Sequence, residues 1–281
     1  MLDTILPQAT SAIALIVLYV FIILLAKMVN DLTTPYSVDE QLAHHDNLAL
    51  AISFSGYILA TTIIFVAALL GPTQGVVLDI INVGGYSLLG IILLNISRVV
   101  NDKLLLHQFS NIEKIINERN YGIGAVQAGS YIASACIIGG ALHGEGGGIM
   151  TAIVFFVIGQ VMLIVVSKVY DFFTPYDIQE ELLKNNTAAG IAFSGTLIAV
   201  GILLMKGSSG NFISWSYNLG SFALESLMAI IILPVFRLIL DKLIIRRIDL
   251  NKEIQHDKNI GAGLLEMFVV ISFAVVLFFL Y

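Results

Sequence analysis

An apolar run begins with Asn186-Thr187-Ala188-Ala189-Gly190 and continues to about Met205. A helix needs roughly 20 predominantly apolar residues to cross the hydrocarbon core of a bilayer, and this run has about that length. Asn is a good helix N-cap because its side chain accepts hydrogen bonds from the first free backbone N–H groups. The small residues two and four positions later allow neighbouring helices to approach closely in lipid. The segment therefore predicts a tightly packed membrane-spanning helix that begins at Asn186.

The same pattern recurs at the start of three other apolar runs. In each, an Asn is followed by small residues two and four positions later: Asn47-Leu48-Ala49-Leu50-Ala51, Asn120-Tyr121-Gly122-Ile123-Gly124 and Asn259-Ile260-Gly261-Ala262-Gly263. Each of the four runs is preceded by another apolar run, whose end carries a base and then an acid: Lys27 and Asp31, Arg98 and Asp102, Lys168 and Asp171, Arg237 and Asp241. The chain therefore repeats a two-span unit four times.

Eight apolar runs are long enough to span a bilayer. They cover about residues 11–29, 47–70, 76–99, 120–142, 149–170, 186–205, 214–240 and 259–280. Of the 281 residues, 58% are hydrophobic and only 12% are charged, and the mean hydropathy is +0.92. A soluble domain carries roughly 25% charged residues. We therefore predict an all-α polytopic membrane protein with about eight transmembrane helices, whose surface contacts the lipid bilayer.

The composition excludes several classes of function. A net charge of -6 and the lack of any basic cluster larger than Arg246-Arg247 argue against a nucleic-acid partner. The single Cys136 cannot form an intramolecular disulfide. No P-loop, His-Glu-x-x-His, Gly-x-Ser-x-Gly or Cys-x-x-Cys motif occurs. We therefore expect no enzymatic activity, no cofactor and no metal site.

The basic residues predict the orientation. Thirteen of the 14 Lys and Arg residues lie at the longer linkers, which follow the first, third, fifth and seventh runs, and only Lys206 lies on the other side. By the positive-inside rule the longer linkers are cytoplasmic. An even number of spans then places both termini outside the cytoplasm. Two linker segments, residues 37–45 and 177–184, are expected to form short amphipathic helices at the membrane interface.

A larger repeat joins the units in pairs. An offset of 139 residues relates Asn47 to Asn186, Arg98 to Arg237, Asp102 to Asp241, and Asn120 to Asn259. We therefore divide the chain into two homologous four-span halves, residues 1–145 and 146–281. An even number of spans separates equivalent positions, so the halves have the same orientation. Their pseudo-twofold axis is expected to run along the membrane normal.

Further motifs recur in the two halves and carry a family resemblance. Thr34-Pro35-Tyr36 and Phe54-Ser55-Gly56 return as Thr174-Pro175-Tyr176 and Phe193-Ser194-Gly195. The string from Asn185 to Leu197 resembles the signature of the domain-of-unknown-function 350 family, small bacterial inner-membrane proteins of the YjfL type. The resemblance covers the chain as two tandem copies. It implies the fold and an inner-membrane location, but no activity. The pattern departs from Phe-Ser-Gly at Gln127-Ala128-Gly129 and Glu266-Met267-Phe268.

Two acids lie inside apolar runs, where an acid costs roughly 2.5–3.5 kcal/mol on insertion scales. Glu225 lies near the middle of the seventh run, and Glu266 lies seven residues after Asn259. Arg237 should lie at a depth similar to that of Glu266, so the two can pair if the seventh and eighth spans are neighbours. The 139-residue offset places Tyr86 and Gln127 at the equivalent positions of the first half, which therefore lacks both acids.

Two interpretations of these residues stay open. In one, Glu225 and Glu266, with Arg237, Gln127 and Tyr86, form a cation or proton path in which Glu225 titrates. In the other, Arg237 neutralises Glu266 and Glu225 bonds to a hydroxyl group, so both acids are structural. The Asn residues, Ser55, Gly56, Ser194 and Gly195 are assigned mainly to packing, with the lining of a path as the alternative. The base–acid pairs, including Arg98 with Asp102, are expected to reach the headgroups or to bridge units, with ligand binding as their alternative.

The leading functional hypothesis is passage of a small cation or solute through the helix bundle or through a homo-oligomer of it. The alternative is a non-transporting membrane scaffold whose cytoplasmic face recruits a soluble partner. Ion flux across liposomes distinguishes the two hypotheses.

Overall fold

The computed structural model describes residues 2–143, 146–239 and 249–280, and all regular elements within these ranges are helices. Eight helices in these ranges are long and apolar enough to cross a membrane, which confirms the predicted all-α polytopic membrane protein. Asp241, one of the predicted motif residues, lies outside the described ranges. The helices in chain order are α1 (Leu2–Thr33), α2 (Val38–Ala43), α3 (Leu48–Leu69), α4 (Val76–Leu104), α5 (Asn111–Ile116), α6 (Tyr121–Leu142), α7 (Gly148–Phe173), α8 (Ile178–Leu183), α9 (Thr187–Ser208), α10 (Trp215–Ile239), α11 (Leu250–Gln255) and α12 (Ile260–Leu280).

The repeated unit consists of a first span, a short helix and a second span. Each short helix has six residues, and its N-cap side chain accepts a hydrogen bond from the backbone N–H three residues later: Ser37 for α2, Ser110 for α5, Asp177 for α8 and Asp249 for α11. The sequence predicted α2 and α8, whereas α5 and α11 are additional. We call residues 37–47, 110–120, 177–186 and 249–259 together the platform, and the membrane side on which they lie the platform side.

The short helices pack on the protein. Val38, Ile115, Leu182 and Ile254 are at most 2% exposed, and all four short helices contact second spans. Burial of these apolar side chains stabilises the attachment of each short helix to the long helices. The sequence predicts that α2 and α8 lie at the membrane interface but does not predict that they pack on the long helices.

A left-handed residue precedes each of the four Asn residues. Asp46, Arg119, Asn185 and Lys258 have φ between 47° and 56°, and they are the only non-glycine residues in the described ranges with positive φ. Such a conformation is uncommon for residues other than glycine. The same turn therefore connects the short helix to the second span in all four units.

The long helices form two layers. The second spans α3, α6, α9 and α12 lie side by side in chain order, and the first spans α1, α4, α7 and α10 form the other layer. Among the first spans, α4 packs between α3 and α6, and α7 packs between α6 and α9. The contact between α6 and α9 joins the two halves and is the most extensive in the described structure. The row of second spans is therefore continuous across the boundary between the halves. The axis that relates the halves stays a prediction.

Glycines allow the second spans to approach closely. A Cβ atom on Gly124 would meet the backbone of Ala49, one on Gly190 would meet the backbone of Gly122, and one on Gly263 would meet Ala188. In each pair, the fourth residue after one Asn packs on the second residue after the Asn of the preceding unit. The small residues that follow each Asn therefore belong to one repeated interface.

The two layers are offset along the helix axes. Gly90, which lies 14 residues after the start of α4, packs on Ile64, five residues before the end of α3. Glu225, which lies ten residues after the start of α10, packs on Gly207, one residue before the end of α9. Each comparison gives an offset of nine residues, or roughly 13 Å of helix. The first spans therefore extend beyond the second spans on the side opposite the platform.

Candidate functional site

The repeated Asn residues join each unit to the next. As predicted for an N-cap, the Oδ1 atoms of Asn47, Asn120 and Asn186 each accept a hydrogen bond from the backbone N–H three residues later. The Nδ2 atom of each donates to a carbonyl in the next unit's short helix: Asn47 to Ile115 at 3.0 Å, Asn120 to Leu182 at 2.7 Å and Asn186 to Ile254 at 2.8 Å. Asn259, in the last unit, donates to Glu253 Oε2 instead. These bonds fix the platform to the row of second spans.

Arg237 and Glu266 form a buried cluster on the platform side. Arg237 Nε lies 3.2 Å from Glu266 Oε1, and Glu266 is completely buried. Tyr170 donates its hydroxyl hydrogen to the same oxygen at 2.6 Å, and the Arg237 guanidinium lies 4.8 Å from the centre of the Tyr170 ring. Arg237 also donates to Thr174 Oγ1 and Asn251 Oδ1. The neighbouring spans therefore bring together the pair that the sequence suggested.

The equivalent position in the first half carries a different polar cluster. Ser53 donates to Gln127 Oε1 at 2.5 Å, and Gln127 Nε2 donates to Asp102 Oδ1 at 3.4 Å. Asn111 donates to the same Asp102 oxygen at 2.7 Å. Arg98 donates to the carbonyl of Thr33 and makes no ion pair with Asp102 in the described structure. The first half thus replaces the arginine–glutamate pair with hydrogen bonds to Asp102.

Of the four base–acid pairs predicted at the ends of the first spans, one forms an ion pair within the described residues. Lys27 Nζ lies 3.3 Å from Asp31 and 2.7 Å from Asp39. Lys168 makes no ion pair in the described structure. The fourth pair includes Asp241, which lies outside the described ranges.

Glu225 and Tyr86 lie far from these clusters. Glu225 is buried and packs on Gly207 near the end of α9, whereas Met267, beside Glu266, packs on Gly195. Twelve residues of α9 separate the two levels, or roughly 18 Å. Tyr86 lines a cavity of about 650 Å³ on the side opposite the platform. The structure therefore does not bring Glu225 and Glu266 together.

Between these levels the array is packed with apolar side chains. The buried residues of α9 and α10 in this region include Leu197, Val200, Leu203, Ala229 and Leu233. Glu225 itself has an interaction within the protein. A single path that joins both acids would have to cross this packed region.

The Phe-Ser-Gly motif lies at the contacts between second spans. A Cβ atom on Gly56 would lie 2.5 Å from Ala128, and one on Gly195 would lie 2.5 Å from Met267. Ser194 packs on Gly129 in the same way, whereas Ser55 is exposed on the outer face of the first unit. Gly56, Ser194 and Gly195 therefore occupy packing positions, whereas Ser55 does not.

Glu181 is a buried acid of the platform that is hydrogen-bonded to two neighbouring side chains. Glu181 is 3% exposed, receives a hydrogen bond from Lys184 at 2.9 Å on Oε1 and one from Asn186 at 2.9 Å on Oε2. Burial alone raises the pKa of Glu181, but the hydrogen bonds from Asn186 and Lys184, together with the positive charges of Lys184 and Lys258, hold the pKa below its usual value. Glu181 is therefore a charged member of the bond network that ends at Ile254.

Several residues of the clusters were not singled out from the sequence. Tyr170 and Asn251 contact Glu266 and Arg237, and Asn111 contacts Asp102. Thr174 belongs to the repeated Thr-Pro-Tyr motif, and this repeat was the one sequence feature that could have pointed to a cluster residue. In the described part of the chain, no three His, Cys, Asp or Glu residues cluster in a way that could hold a metal ion.

Comparisons with known proteins agree with the predicted resemblance. The chain matches the family model described as Domain of Unknown Function (DUF350) over residues 1–142 and again over residues 146–279. It is 23% identical over 233 residues to a UPF0719 transmembrane protein of Aquifex aeolicus (strain VF5), which covers 81% of this chain and 84% of that protein. No solved structure matches the chain. The chain therefore belongs to the DUF350 family of uncharacterised transmembrane proteins and contains two tandem copies of the family's domain.

Proposed function

We propose that this protein is a membrane scaffold that presents the platform to the cytoplasm and recruits a soluble protein there. The main support is a set of hydrogen bonds. Through them, Asn47, Asn120 and Asn186 fix each unit to the short helix of the next unit. These bonds hold four separate chain segments in one repeated arrangement. Repeat arrays commonly bind partners on extended surfaces, and rigid elements position binding groups well.

The charge of the platform indicates the kind of partner. Nine exposed acids stand against four exposed bases: Asp39, Glu40, Asp46, Glu113, Glu118, Asp177, Glu180, Asp249 and Asp257 against Arg119, Lys184, Lys252 and Lys258. Complementary charge speeds association and suppresses wrong partners. A soluble protein with a basic surface is therefore the favoured partner.

The basic residues at the ends of the first spans support a cytoplasmic platform. Lys27, Arg98, Lys168 and Arg237 all lie near the platform side, and basic residues beside spans are retained in the cytoplasm. In a bacterial inner membrane, this orientation leaves both termini on the other side.

Photo-crosslinking in cells tests the proposal. A photoreactive residue is placed singly at Glu40, Glu113 or Glu180, with Thr73 on the opposite side as the matched control. We expect the three platform positions to capture the same soluble protein and Thr73 to capture none. In a chain with Glu40→Gln, Glu113→Gln and Glu180→Gln, capture from a fourth platform position, His44, should fall. Failure to capture a soluble protein, or equal capture at Thr73, contradicts the proposal.

Passage of a small cation is the second candidate function. It is favoured by the buried acids Glu225 and Glu266, and by Glu266 Oε2, which has no hydrogen-bond partner in the described structure. Acids within membrane spans often mark ion pathways. Flux through liposomes containing the full chain tests it. Flux that Glu225→Gln or Glu266→Gln reduces supports passage, whereas rates equal to those of empty liposomes contradict it.

A further inference from the structure

A cleft of about 320 Å³ lies where the two halves meet on the platform side. Leu105, Phe172 and Phe193 contribute apolar side chains to its lining, and Lys168, Asp171 and His107 contribute polar ones. Lys168 and Asp171 belong to the last two turns of the membrane-spanning helix α7. The cleft therefore lies at the depth where lipid headgroups meet acyl chains.

The internal repeat shows that the polar groups of this cleft are unusual. In the first half, Lys27 bonds to Asp31, four residues later, and to Asp39 on the short helix. In the second half the base stands three residues before the acid, and Gln179 replaces Asp39. Gln179 instead contacts His107 Nδ1 at 3.3 Å and accepts from the backbone N–H of Gln108.

The change leaves Lys168 exposed at the cleft with no ion-pair partner among the described residues. Asp171 keeps one bond of its counterpart: its Oδ1 accepts from the backbone N–H of Ile178 at 3.2 Å, as Asp31 Oδ1 does from Val38. The second bond of Asp31, from Lys27 to Oδ2, has no equivalent at Asp171 within the described ranges. Lys168 and Asp171 both line the cleft, so an ammonium and a carboxylate border it beside an apolar wall.

We propose that this cleft binds one phospholipid with a primary-ammonium headgroup, phosphatidylethanolamine. Lys168 Nζ donates to the phosphate and Asp171 Oδ2 accepts from the ammonium. An acyl chain lies along Leu105, Phe172 and Phe193, and the 83% exposure of Phe172 fits a position at the acyl chains.

The charge pattern selects this headgroup over the alternatives. An anionic glycerol headgroup offers no cation to Asp171, and a choline headgroup has no N–H donor. Pockets with basic groups between transmembrane helices are known sites for lipid headgroups. Lipid binding in this cleft does not depend on whether the platform recruits a protein.

Native mass spectrometry of the full-length protein tests the site. The protein is extracted from vesicles that contain equal amounts of phosphatidylethanolamine, phosphatidylglycerol and phosphatidylcholine. We expect it to retain phosphatidylethanolamine preferentially. Lys168→Gln removes a charge-assisted hydrogen bond and should lower this retention about tenfold. Asp171→Asn should also lower it, because the amide is a weaker acceptor for an ammonium.

Matched variants separate binding from folding. Lys27→Gln and Asp31→Asn remove the counterpart groups of the first half, and both should leave lipid retention unchanged. Size-exclusion profiles check that each variant folds, and Lys168→Gln is decisive because its side chain is exposed. Preferential retention of phosphatidylglycerol, or an equal loss of retention in Lys27→Gln, would overturn the proposal. Complete displacement of the lipid by added soluble phosphoethanolamine would also overturn it.

Discussion

At the scale of single residues, most buried charged side chains in the described ranges have specific partners near the platform. Glu266 is fully buried against Arg237, and Tyr170 donates to the same carboxylate oxygen. Burial raises the pKa of the nearby Tyr176, so its phenol stays protonated. The cluster is therefore a neutralised group of side chains whose members depend on one another.

Removing one member of this cluster should be more harmful than removing two. Arg237→Met leaves the Glu266 carboxylate buried without a countercharge, and we expect a loss of about 3–5 kcal/mol in the free energy of unfolding. The double variant Arg237→Met/Glu266→Leu should recover much of that loss. Unfolding by denaturing detergent measures both values. Lys27→Met is the control, because its ion pairs are partly exposed and surface pairs contribute only about 0–1 kcal/mol. Additive losses in the double variant would contradict the pairing.

Glu181 should make stability depend on pH at the acidic end. Its pKa in the folded protein lies below its ordinary value of 4.5, so the stabilisation is present above pH 4.5 and is lost as the pH falls through the folded pKa. Glu181→Gln should remove this part of the acid-induced fall in the thermal midpoint. Glu180→Gln, at an exposed acid of the same short helix, is the control and should retain the contribution of Glu181. Identical profiles for Glu181→Gln and the parent protein would contradict the assignment.

Part of this residue-scale detail could be predicted. The contact between Arg237 and Glu266 could be predicted because residue counting places both at a similar depth in the membrane. The only further condition was that their two spans be neighbours. The partners of Asp102 could not be predicted from spacing, because Asn111 and Gln127 reach it from a short helix and a second span. Those contacts depend on how three separate elements pack.

At the scale of elements, the second spans form the repeated framework because each begins with an Asn cap and has small residues two and four positions later. The N-cap role of Asn47, Asn120 and Asn186 follows from local chemistry and could be predicted. Their second role could not, since each Nδ2 donates to a carbonyl 62 or 68 residues away. Sequence spacing gives no direct measure of such contacts.

This double role predicts unequal effects for equivalent Asn residues. Asn120→Ala removes the cap and also leaves the buried carbonyl of Leu182 without this donor, so we expect a loss of about 2–3 kcal/mol. Asn259→Ala removes only the cap and an exposed contact with Glu253, and should cost about 1 kcal/mol. Detergent unfolding of the two variants compares them. Equal losses would show that the bond between units contributes little.

The repeated helix interface makes a similar comparison with glycines possible. A Cβ atom at Gly190 meets the backbone of Gly122, which cannot move like a flexible side chain, so Gly190→Ala should destabilise the protein by about 1–3 kcal/mol. A Cβ atom added to Gly220, in α10, would have no atom of a neighbouring element within 4 Å, and Gly220→Ala should be neutral or stabilising by up to about 1 kcal/mol. Detergent unfolding measures both effects. A Gly190→Ala variant as stable as the parent would contradict the close packing.

At the scale of the whole molecule, the repeat produces two offset layers with the platform on one side. The number of spans could be predicted, because hydropathy and length define each span separately. The roughly 13 Å offset between layers could not, because it arises from packing between Gly90 and Ile64 and between Glu225 and Gly207. For the same reason, the large separation of Glu225 from Glu266 was not visible in the sequence.

In the proposed orientation the platform faces the cytoplasm, and the accessibility of single cysteines to a labelling reagent tests this orientation. The natural Cys136 is buried, so His44→Cys on the platform and Thr73→Cys on the opposite side each supply one exposed thiol. Intact cells are treated with a membrane-impermeant maleimide. We expect Thr73→Cys to be labelled in intact cells and His44→Cys to be labelled only after the membrane is opened. Labelling of His44→Cys but not Thr73→Cys in intact cells would contradict it.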